Sequence, residues 1–321
     1  MTFECLTPDE IVCAVEAALG LRLTGYTVTL PSYINRVYEL RAKDGTKLIA
    51  KFYRAGRWSK EAILDEHTYL ADCAQAELPV VGPLMLSNNE TIGRHSDILF
   101  AVFPKRAGRQ LEIANDGDWL RLGSLIGRLH CAGAIQPALN RTIIDPRHSA
   151  LHDVEYLCER VIPEQFRDSY RSSAMKILDL SIPAFESLEP MRVHGDCHRG
   201  NILDRLDEGL LLIDFDDMAM GPPVQDLWLL LPDRAQAAAR EIGLFIEGYE
   251  RFRKFDRMSL RCIESLRAMR MIYFLAWCSR QVDDFQFRRN FPDWGNSSFW
   301  QREINDLREQ LGFVGDALQG A

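Results

Sequence analysis

The sequence predicts an α+β fold in two lobes: a small antiparallel sheet with one main helix over residues 1–104, then a larger, mostly helical part over 105–321 carrying a single hairpin. Three observations predict it. Short β-prone runs dominate as far as Pro104, with one helical stretch among them. Beyond that point apolar residues recur at helical spacing. The exception there is the pair of runs ILDRL and LLLIDF, parted by Asp207, Glu208 and Gly209, which reads as a tight hairpin. At 321 residues and 47% hydrophobic content the chain can bury a large core, in one large or two modest domains.

Thr7-Pro8-Asp9-Glu10 has the form of a helix start, with Thr7 as cap, Pro8 suited to the first turn and Glu10 placed to bond back, so a helix should run to about Leu19. Between Gly25 and Tyr53 the runs YTVTL, RVYEL and KLIAKFY predict strands, the last two joined by the turn Lys43-Asp44-Gly45-Thr46. A helix from about Ser59 to Gln75 follows, then strands in VGPLML, TIGRH and ILFAVF, ending at Pro104. Past Lys105-Arg106-Ala107-Gly108, apolar spacing predicts helices at about 116–133, 150–186, 233–256, 259–281 and 297–316.

Composition excludes several classes. A net charge of −8 argues against a general nucleic-acid partner, because phosphate backbones attract basic surfaces. Only KFYRAGRWSK, Lys51 to Lys60, is locally basic; it reads first as a solvated face and second as a phosphate-facing one. No apolar run approaches the roughly 20 residues that span a bilayer, and MTFECLTPDE has neither a basic n-region nor an apolar h-region. No membrane partner and no export are therefore expected, and a cytoplasmic location is the expectation. The cysteines at 5, 13, 73, 131, 158, 197, 262 and 278 are scattered rather than arranged in CxxC pairs, which fits reduced thiols. Cys197, between Asp196 and His198, reads as a small buried residue, with an oxidation-sensitive thiol as the second reading.

The chemistry concentrates in His194 to Asp217, HGDCHRGNILDRLDEGLLLIDFDD. A hairpin there would return Asp214 to the loop carrying Asp196 and Asn201. Kinases use such a set: one carboxylate orients the acceptor hydroxyl and takes its proton, while an amide oxygen and a second carboxylate hold the magnesium that screens the phosphates. Asp196 would be the base, and Asn201 and Asp214 the metal ligands. Lys51, flanked by apolar residues in LIAKFY, needs a partner if its ammonium is buried. Glu66 borders the packed face of the following helix, one turn from Ala62, Ile63 and Leu70, with Asp65 and Glu61 as the other candidates. That pair would position the α- and β-phosphates, or be a purely structural salt bridge.

The segment 31–36, PSYINR, joins the first two strands, where a kinase folds a loop over the phosphates. It has no glycine; backbone amides and the Ser32 hydroxyl can still bond phosphate, and an ordinary hairpin turn stands equally beside that reading. There is no GxxxxGK[ST]. Phe100 to Pro104, Phe103 included, is expected between the lobes, with backbone groups able to read an adenine edge. Asp226, opening DLWLLL after Gly221-Pro222-Pro223, either favours the helix dipole or braces the loop of Asp196. Arg267, Arg270 and Arg280 read either as facing the acceptor or as buried ion pairs.

The HGDxHxxN loop followed by IDFDD resembles the aminoglycoside phosphotransferase and choline kinase group, which shares the protein kinase fold. More narrowly, SYxNRVYEL, KFYR-x-x-RW, FAVFP, VHGDCHxGNIL, GPPVQDLWLLL and LRAMRMIYFLAW are similar to a bacterial stress-response branch of cytoplasmic serine/threonine protein kinases. These segments cover most of the chain. The resemblance implies a bilobal protein kinase-like fold, ATP as co-substrate, Mg2+ as cofactor, and a protein serine or threonine as acceptor; the sequence leaves the oligomeric state open, a monomer among the options. It implies Asp196 as proton acceptor, Asn201 and Asp214 as magnesium ligands, and Ser32 as a nucleotide contact. Lys51 and Glu66 follow from the broader kinase pattern, and His194, His198, Asp216 and Asp226 would support the site. Two departures matter: Gly195 replaces the arginine of HRD, and Asp216 the glycine of DFG. Only Met218 to Pro223 separates the metal-binding strand from the next helix, too short for a phosphorylated activation loop.

Three other readings stand beside this one. A kinase for a small metabolite or antibiotic hydroxyl is favoured by that short connection. A metallohydrolase would use His194, Asp196 and His198, which alternate like ligands along an extended segment, but it leaves Lys51, Glu66 and the first lobe without purpose. A nucleotide-binding regulator that no longer catalyses would have no use for Asp196, Asn201 and Asp214 together.

Overall fold

The computed structural model describes the chain except Met1, Thr2, Glu4, Cys5, Tyr33, Asp207, Asp284, Gly320 and Ala321, so the expectations placed on Cys5, Tyr33 and Asp207 lie outside the described residues. In chain order the elements are α1 (Pro8–Leu19), β1 (Leu23–Leu30), β2 (Arg36–Ala42), β3 (Lys47–Phe52), α2 (Lys60–Gln75), β4 (Gly93–His95), β5 (Ile98–Pro104), β6 (Arg109–Gln110) and α3 (Asp116–Gly133). There follow α4 (Leu151–Arg160), α5 (Glu164–Glu186), β7 (Met191–Val193), β8 (Ile202–Arg205), β9 (Gly209–Leu212), β10 (Ala219–Gly221), α6 (Gln225–Trp228), α7 (Ala239–Tyr249), α8 (Ile263–Ser279), α9 (Phe285–Asn290) and α10 (Ser297–Gln319).

Several expectations are corrected, each for a physical reason. VGPLML forms no strand: Pro83 has no N–H to give a ladder, and the segment is tied to β5 by the Leu84 amide donating to the Val102 carbonyl at 2.7 Å. The single helix at 150–186 is two, α4 and α5, parted at Pro163, which disfavours helical geometry in the residue before it. The helix at 233–256 shrinks to α7, because the Ala-rich stretch before it has no apolar stripe to bury. The one at 259–281 opens as a 3-10 turn, Arg257–Cys262, before α8. β6, β7 and β10, at two or three residues, are too short to show alternation, so the hairpin is not the sole β structure of the later chain.

The chain packs as two compact units, one of the segments up to Ala114, Arg128–Arg141 and Asp196–Met218, the other of Asn115–Gly127, Thr142–Gly195 and the segment from Ala219 onward. The first holds an antiparallel sheet in the order β1-β2-β3-β5-β4. Local rules build it. Thr7 accepts from the Glu10 amide at 3.3 Å while the Glu10 carboxylate accepts from the Thr7 amide at 3.0 Å, closing the capping box. Between β2 and β3 the Asp44 carboxylate accepts from the Thr46 amide at 2.9 Å, and Gly45 takes φ +92°. Leu40, Leu48, Ala50, Phe52, Phe100 and Val102 pack with Ile11 and Val15 of α1; fully burying a leucine or phenylalanine is worth about 1.5–3 kcal/mol. Alternation then turns Lys51, Tyr53 and Ala101 to the opposite face, where Ile63 of α2 packs. The same unit contains the β8–β9 hairpin, with β6 on its edge.

In the second unit β7 pairs with β10, and α5 packs with α10 and α8. Two of the late arginines form ion pairs: Arg267 with Glu264 at 3.4 Å and Arg280 with Asp153 at 3.5 Å. Among the described residues no helix is long and apolar enough to cross a membrane.

Candidate functional site

The hairpin register sets the acidic loop. Ile202 pairs with Leu212, and the Ile213 amide donates to the Asn201 carbonyl at 3.0 Å, so Asp214 leaves β9 beside Asn201. The Asn201 amide nitrogen donates to the Asp196 carbonyl at 2.9 Å, which turns its Oδ1 away from that bond as an acceptor. His198 Nε2 lies 3.4 Å from Asp196 Oδ2, and His198 Nδ1 accepts from the Gly200 amide at 3.0 Å. Asp214 sits in the left-handed region at φ 61°, ψ 68°, a conformation that costs about 1–3 kcal/mol and tends to mark functional loops. Its side chain is 56% exposed, so the carboxylate is available to a ligand. An amide oxygen and an accessible carboxylate are hard oxygen donors suited to Mg2+, which takes one or two protein ligands and completes its shell with water and phosphate. Among the described residues no three His, Cys, Asp or Glu side chains gather as a metal site, which weighs against the His194, Asp196 and His198 set.

Lys51, on β3, meets this segment directly. Its Nζ is 3.1 Å from Asp214 Oδ1, 3.1 Å from Asp216 Oδ1 and 3.9 Å from Glu66 Oε1. Of the α2 acids it is therefore Glu66 that approaches Lys51; Asp65 instead accepts from the Asn140 amide at 2.8 Å, and Glu61 belongs to the Ser59-capped first turn. Burial works against the ammonium, but Asp214, Asp216 and Glu66 outweigh it and hold Lys51 charged well above the ordinary lysine range. Asp216 shows the same balance from the other side: burial pushes its carboxyl up, yet Lys51 and Arg57 bring it down to about 2. Glu66 goes the other way, raised by burial against the pull of Lys51.

Two arginines that sequence reasoning missed complete the cluster. Arg141, fully buried, donates to the Ala62 carbonyl at 2.8 Å, the Asp216 carbonyl at 2.8 Å and the Glu66 carboxylate at 3.0 Å. Its guanidinium stacks 4.2 Å from the Trp58 ring centre. Nothing in the loop around residue 141 signals this role. Arg57 lies in the basic stretch read as a solvated face, and the structure corrects that: its side chain is mostly buried, 2.8 Å from Asp216 and 2.5 Å from Asp217.

His67 of α2 backs the cluster, with Nδ1 2.7 Å from Thr91 Oγ1 and Nε2 3.4 Å from the Tyr53 hydroxyl. Burial, then the charges of Lys51 and Arg141, hold its imidazole down to about 3. The unfolded value is about 6.5, so the unfolded chain takes up a proton first as pH falls. Stability linked to His67 is complete above about pH 6.5 and is lost on acidification toward 3. From pH 6.5 to 5 the loss should be about 2 kcal/mol, at about 1.4 kcal/mol per pH unit. Urea unfolding of wild type and His67→Gln at the two pH values checks this; equal pH slopes in the two proteins would contradict it.

The Phe103 ring packs edge-to-face on His67 behind the cluster, 6.2 Å between ring centres. Ser32, half-buried, is on the loop between β1 and β2, which is fastened by the Arg54 amide to Asn35 Oδ1 at 3.1 Å and by Arg54 Nε to the Ile34 carbonyl at 2.9 Å. Phe100 to Pro104 are not a free connection between lobes but part of β5. Tyr53 donates to the Leu99 carbonyl at 2.9 Å and Lys105 to the Lys47 carbonyl at 3.0 Å, so the odd residues of β5 turn their backbone groups to β3. Phe103, opposite Ile49, is thus committed to the ladder, and the Pro104 carbonyl faces the other way.

In the second unit Asp226, fully buried, accepts from the His194 amide at 2.7 Å and the Gly195 amide at 2.9 Å, while Gln225 donates to the Gly195 carbonyl at 2.8 Å. Gly195 has φ +82°, a conformation open to glycine and costly for the arginine that ordinary kinases carry there. Asp226 therefore braces the chain immediately before Asp196.

Residues 27–261 match the family described as the phosphotransferase enzyme family, APH, and the chain belongs to it. Its fold is the protein kinase-like α+β fold of that family. Among named relatives, Stress response kinase A of Escherichia coli (strain K12) is 35% identical over 317 residues, 96% of this chain and 94% of its own length. The serine/threonine protein kinase RdoA of Salmonella typhimurium is 35% identical over 321 residues, with the same coverage of each chain. Among solved structures, an amicoumacin kinase with AMP-PNP, Ca2+ and its antibiotic superposes at a TM-score of 0.74, at 18% identity over 94% of this chain and 92% of that one. A microcompartment-associated aminopropanol kinase follows at 0.67, with 15% identity over 92% and 93%.

Proposed function

We propose that this chain is an ATP- and Mg2+-dependent kinase that transfers the γ-phosphoryl group to serine or threonine hydroxyls of proteins, in a bacterial stress response. The observation that carries the reading is the meeting of Lys51 with Asp214 at 3.1 Å, which sets a strand cation against the end of the acidic hairpin. The protein acceptor draws its support from the relative named serine/threonine protein kinase RdoA, and the stress response from Stress response kinase A, each 35% identical along nearly the whole chain.

Asp196 accepts the proton of the attacking hydroxyl and orients it. Lys51 pairs with the α- and β-phosphates, and Glu66 completes the charge set around it. Asn201 Oδ1 and Asp214 are the ligands for Mg2+, which when bound screens the phosphate charge. Ser32 and the amides of its loop contact the phosphates. The adenine edge is read by the Pro104 carbonyl, which turns away from β3, in place of the committed backbone of Phe103; the Phe103 side chain borders the same face as Lys51. Residues 1–104 supply nucleotide contacts and 105–321 the base, the metal ligands and the acceptor side.

A second reading keeps the chemistry and changes the acceptor to a small hydroxyl-bearing molecule. The short connection from Met218 to Pro223 and the fold likeness to an amicoumacin kinase and an aminopropanol kinase favour it. Purified protein with labelled ATP and Mg2+ decides, offered a bacterial protein extract in one arm and amino alcohols and aminoglycosides in the other. Asp196→Ala should lose about 10²–10⁴-fold in transfer, the usual worth of a general base, while ATP·Mg2+ binding stays within about twofold. Transfer undiminished in Asp196→Ala would remove that residue as base; label confined to the small acceptors would favour the second reading.

A further inference from the structure

We infer that Asp216, clamped by Arg57, is the residue that aims Lys51, and that Glu66 serves chiefly to hold Arg141. The inference deepens the kinase reading and rests on it for the role of Lys51.

Geometry separates the three acids around the ammonium. Asp214 and Asp216 each lie 3.1 Å from Nζ, Asp214 as a hydrogen bond and Asp216 as a close ion pair, whereas Glu66 is at 3.9 Å. Asp214 is the exposed member and the one proposed to hold Mg2+, so with the ion bound its carboxylate would be shared between metal and ammonium. Asp216 then remains the close anchor. Its side chain is 7% exposed and each carboxylate oxygen has a cation at ion-pair distance, Oδ1 facing Lys51 at 3.1 Å and Oδ2 facing Arg57 Nη1 at 2.8 Å, with Oδ1 and Nη1 not aligned as hydrogen bonds. Its carbonyl is fixed by Arg141 Nη1 at 2.8 Å, and the other arm of Arg57 holds the neighbouring Asp217 at 2.5 Å. Trp58 lies under both guanidinium groups, 5.4 Å from Arg57 and 4.2 Å from Arg141.

Glu66 has its shorter bond, 3.0 Å, to Arg141. Arg141 in turn ties the α2 backbone at Ala62 to the backbone of Asp216. The glutamate thus stabilises the frame, and the aspartate sets the lysine. Asp216 stands two residues from Asp214 on one pinned 3-10 turn, so the phosphate cation and the metal ligand are aligned by the same short piece of chain. The position where ordinary kinases keep a glycine here carries the anchor.

The test compares wild type with Asp216→Asn, Glu66→Gln, Arg57→Gln and Arg57→Lys in steady-state kinetics at varied ATP and Mg2+. Asp216→Asn should lower kcat about 10²-fold, in the range for loss of one preorganised charge contact, with KM for ATP moving less than about threefold. It should also need several-fold more Mg2+, because Lys51 is left competing for Asp214. Arg57→Gln should reproduce part of the kcat loss and add little to Asp216→Asn, while Arg57→Lys restores most of it. Glu66→Gln should lower kcat less than Asp216→Asn does, its larger effect being a lowered unfolding midpoint. A kcat unchanged in Asp216→Asn, or lost instead in Glu66→Gln, would overturn the inference.

A stability cycle answers without catalysis and so separates this inference from the kinase reading. Lys51→Met combined with Asp216→Asn should be no less stable than Lys51→Met alone, whereas Glu66→Gln should cost about as much in the Lys51→Met background as in wild type. Coupling of Lys51 to Glu66 as strong as to Asp216 would sink the inference, whereas absence of transfer by wild type with the predicted couplings intact would sink the kinase reading alone.

Discussion

Lys51→Met should lower turnover about 10²–10³-fold, the measured worth of a preorganised charge contact in a water-excluded site. It should also cost about 3–5 kcal/mol of stability at neutral pH, because removing one partner of a buried ionic cluster leaves the others uncompensated. Asp216 and Glu66 are both nearly inaccessible and both face the ammonium. Without it burial lifts the folded pKa of Asp216 above the unfolded one, where that of Glu66 already stands, so the ionised forms disfavour the fold. That penalty is present above the raised pKa and is relieved as pH falls through it, when the carboxyls take up protons. Single-turnover assays and urea unfolding at pH 7.5 and 5 check both parts: the stability gap to wild type should narrow at the lower pH. Undiminished turnover in this variant would remove Lys51 from the mechanism.

Much of the site was legible because it rests on short-range rules. The capping box at Thr7 and Glu10, the Asp44-Gly45 turn and the hairpin from Ile202 to Leu212 are each dictated within a few residues, and each forms where expected. Once the hairpin is known, alternation alone returns Asp214 to Asn201.

What the sequence hid is long-range. Arg141 comes from a loop and reaches Ala62, Glu66 and Asp216 across some 75 positions, a distance at which no periodicity speaks. Arg57 looked like part of a solvated basic stretch because composition counts charges without showing that Asp216 and Asp217 meet them. Phe103 was placed in the right strand but with the wrong parity: one residue's shift decides whether a backbone group joins β3 or faces away. Glu66 was the right α2 acid for Lys51, yet the shorter contact to Asp216 depends on a turn geometry that spacing does not encode.

The second unit contains the other large effect, and it comes from glycine rather than charge. Helix α3 presents Gly123 and Gly127 to the C-terminal half of α7. A Cβ on Gly123 would sit 1.9 Å from the Phe245 carbonyl oxygen, and one on Gly127 2.7 Å from that of Tyr249. From the α7 side, a Cβ on Gly248 would lie 2.1 Å from the Leu120 carbonyl oxygen. All three obstacles are backbone, so no rotamer change relieves them and the helices must move apart. Separation would also break the bond from Ser124 Oγ to the Gly248 carbonyl, 3.2 Å long. Overpacking a well-filled core costs about 1–3 kcal/mol and sometimes more; with a rigid obstacle on each side, Gly123→Ala and Gly248→Ala should each lose at least about 3 kcal/mol. Gly243→Ala is the control on the same α7 helix, where an added Cβ meets nothing within 4 Å. It should gain about 0.5–1 kcal/mol, since alanine favours a helix interior over glycine. Urea midpoints of the three variants decide: Gly123→Ala as stable as wild type would mean that α3 and α7 do not cross at backbone distance.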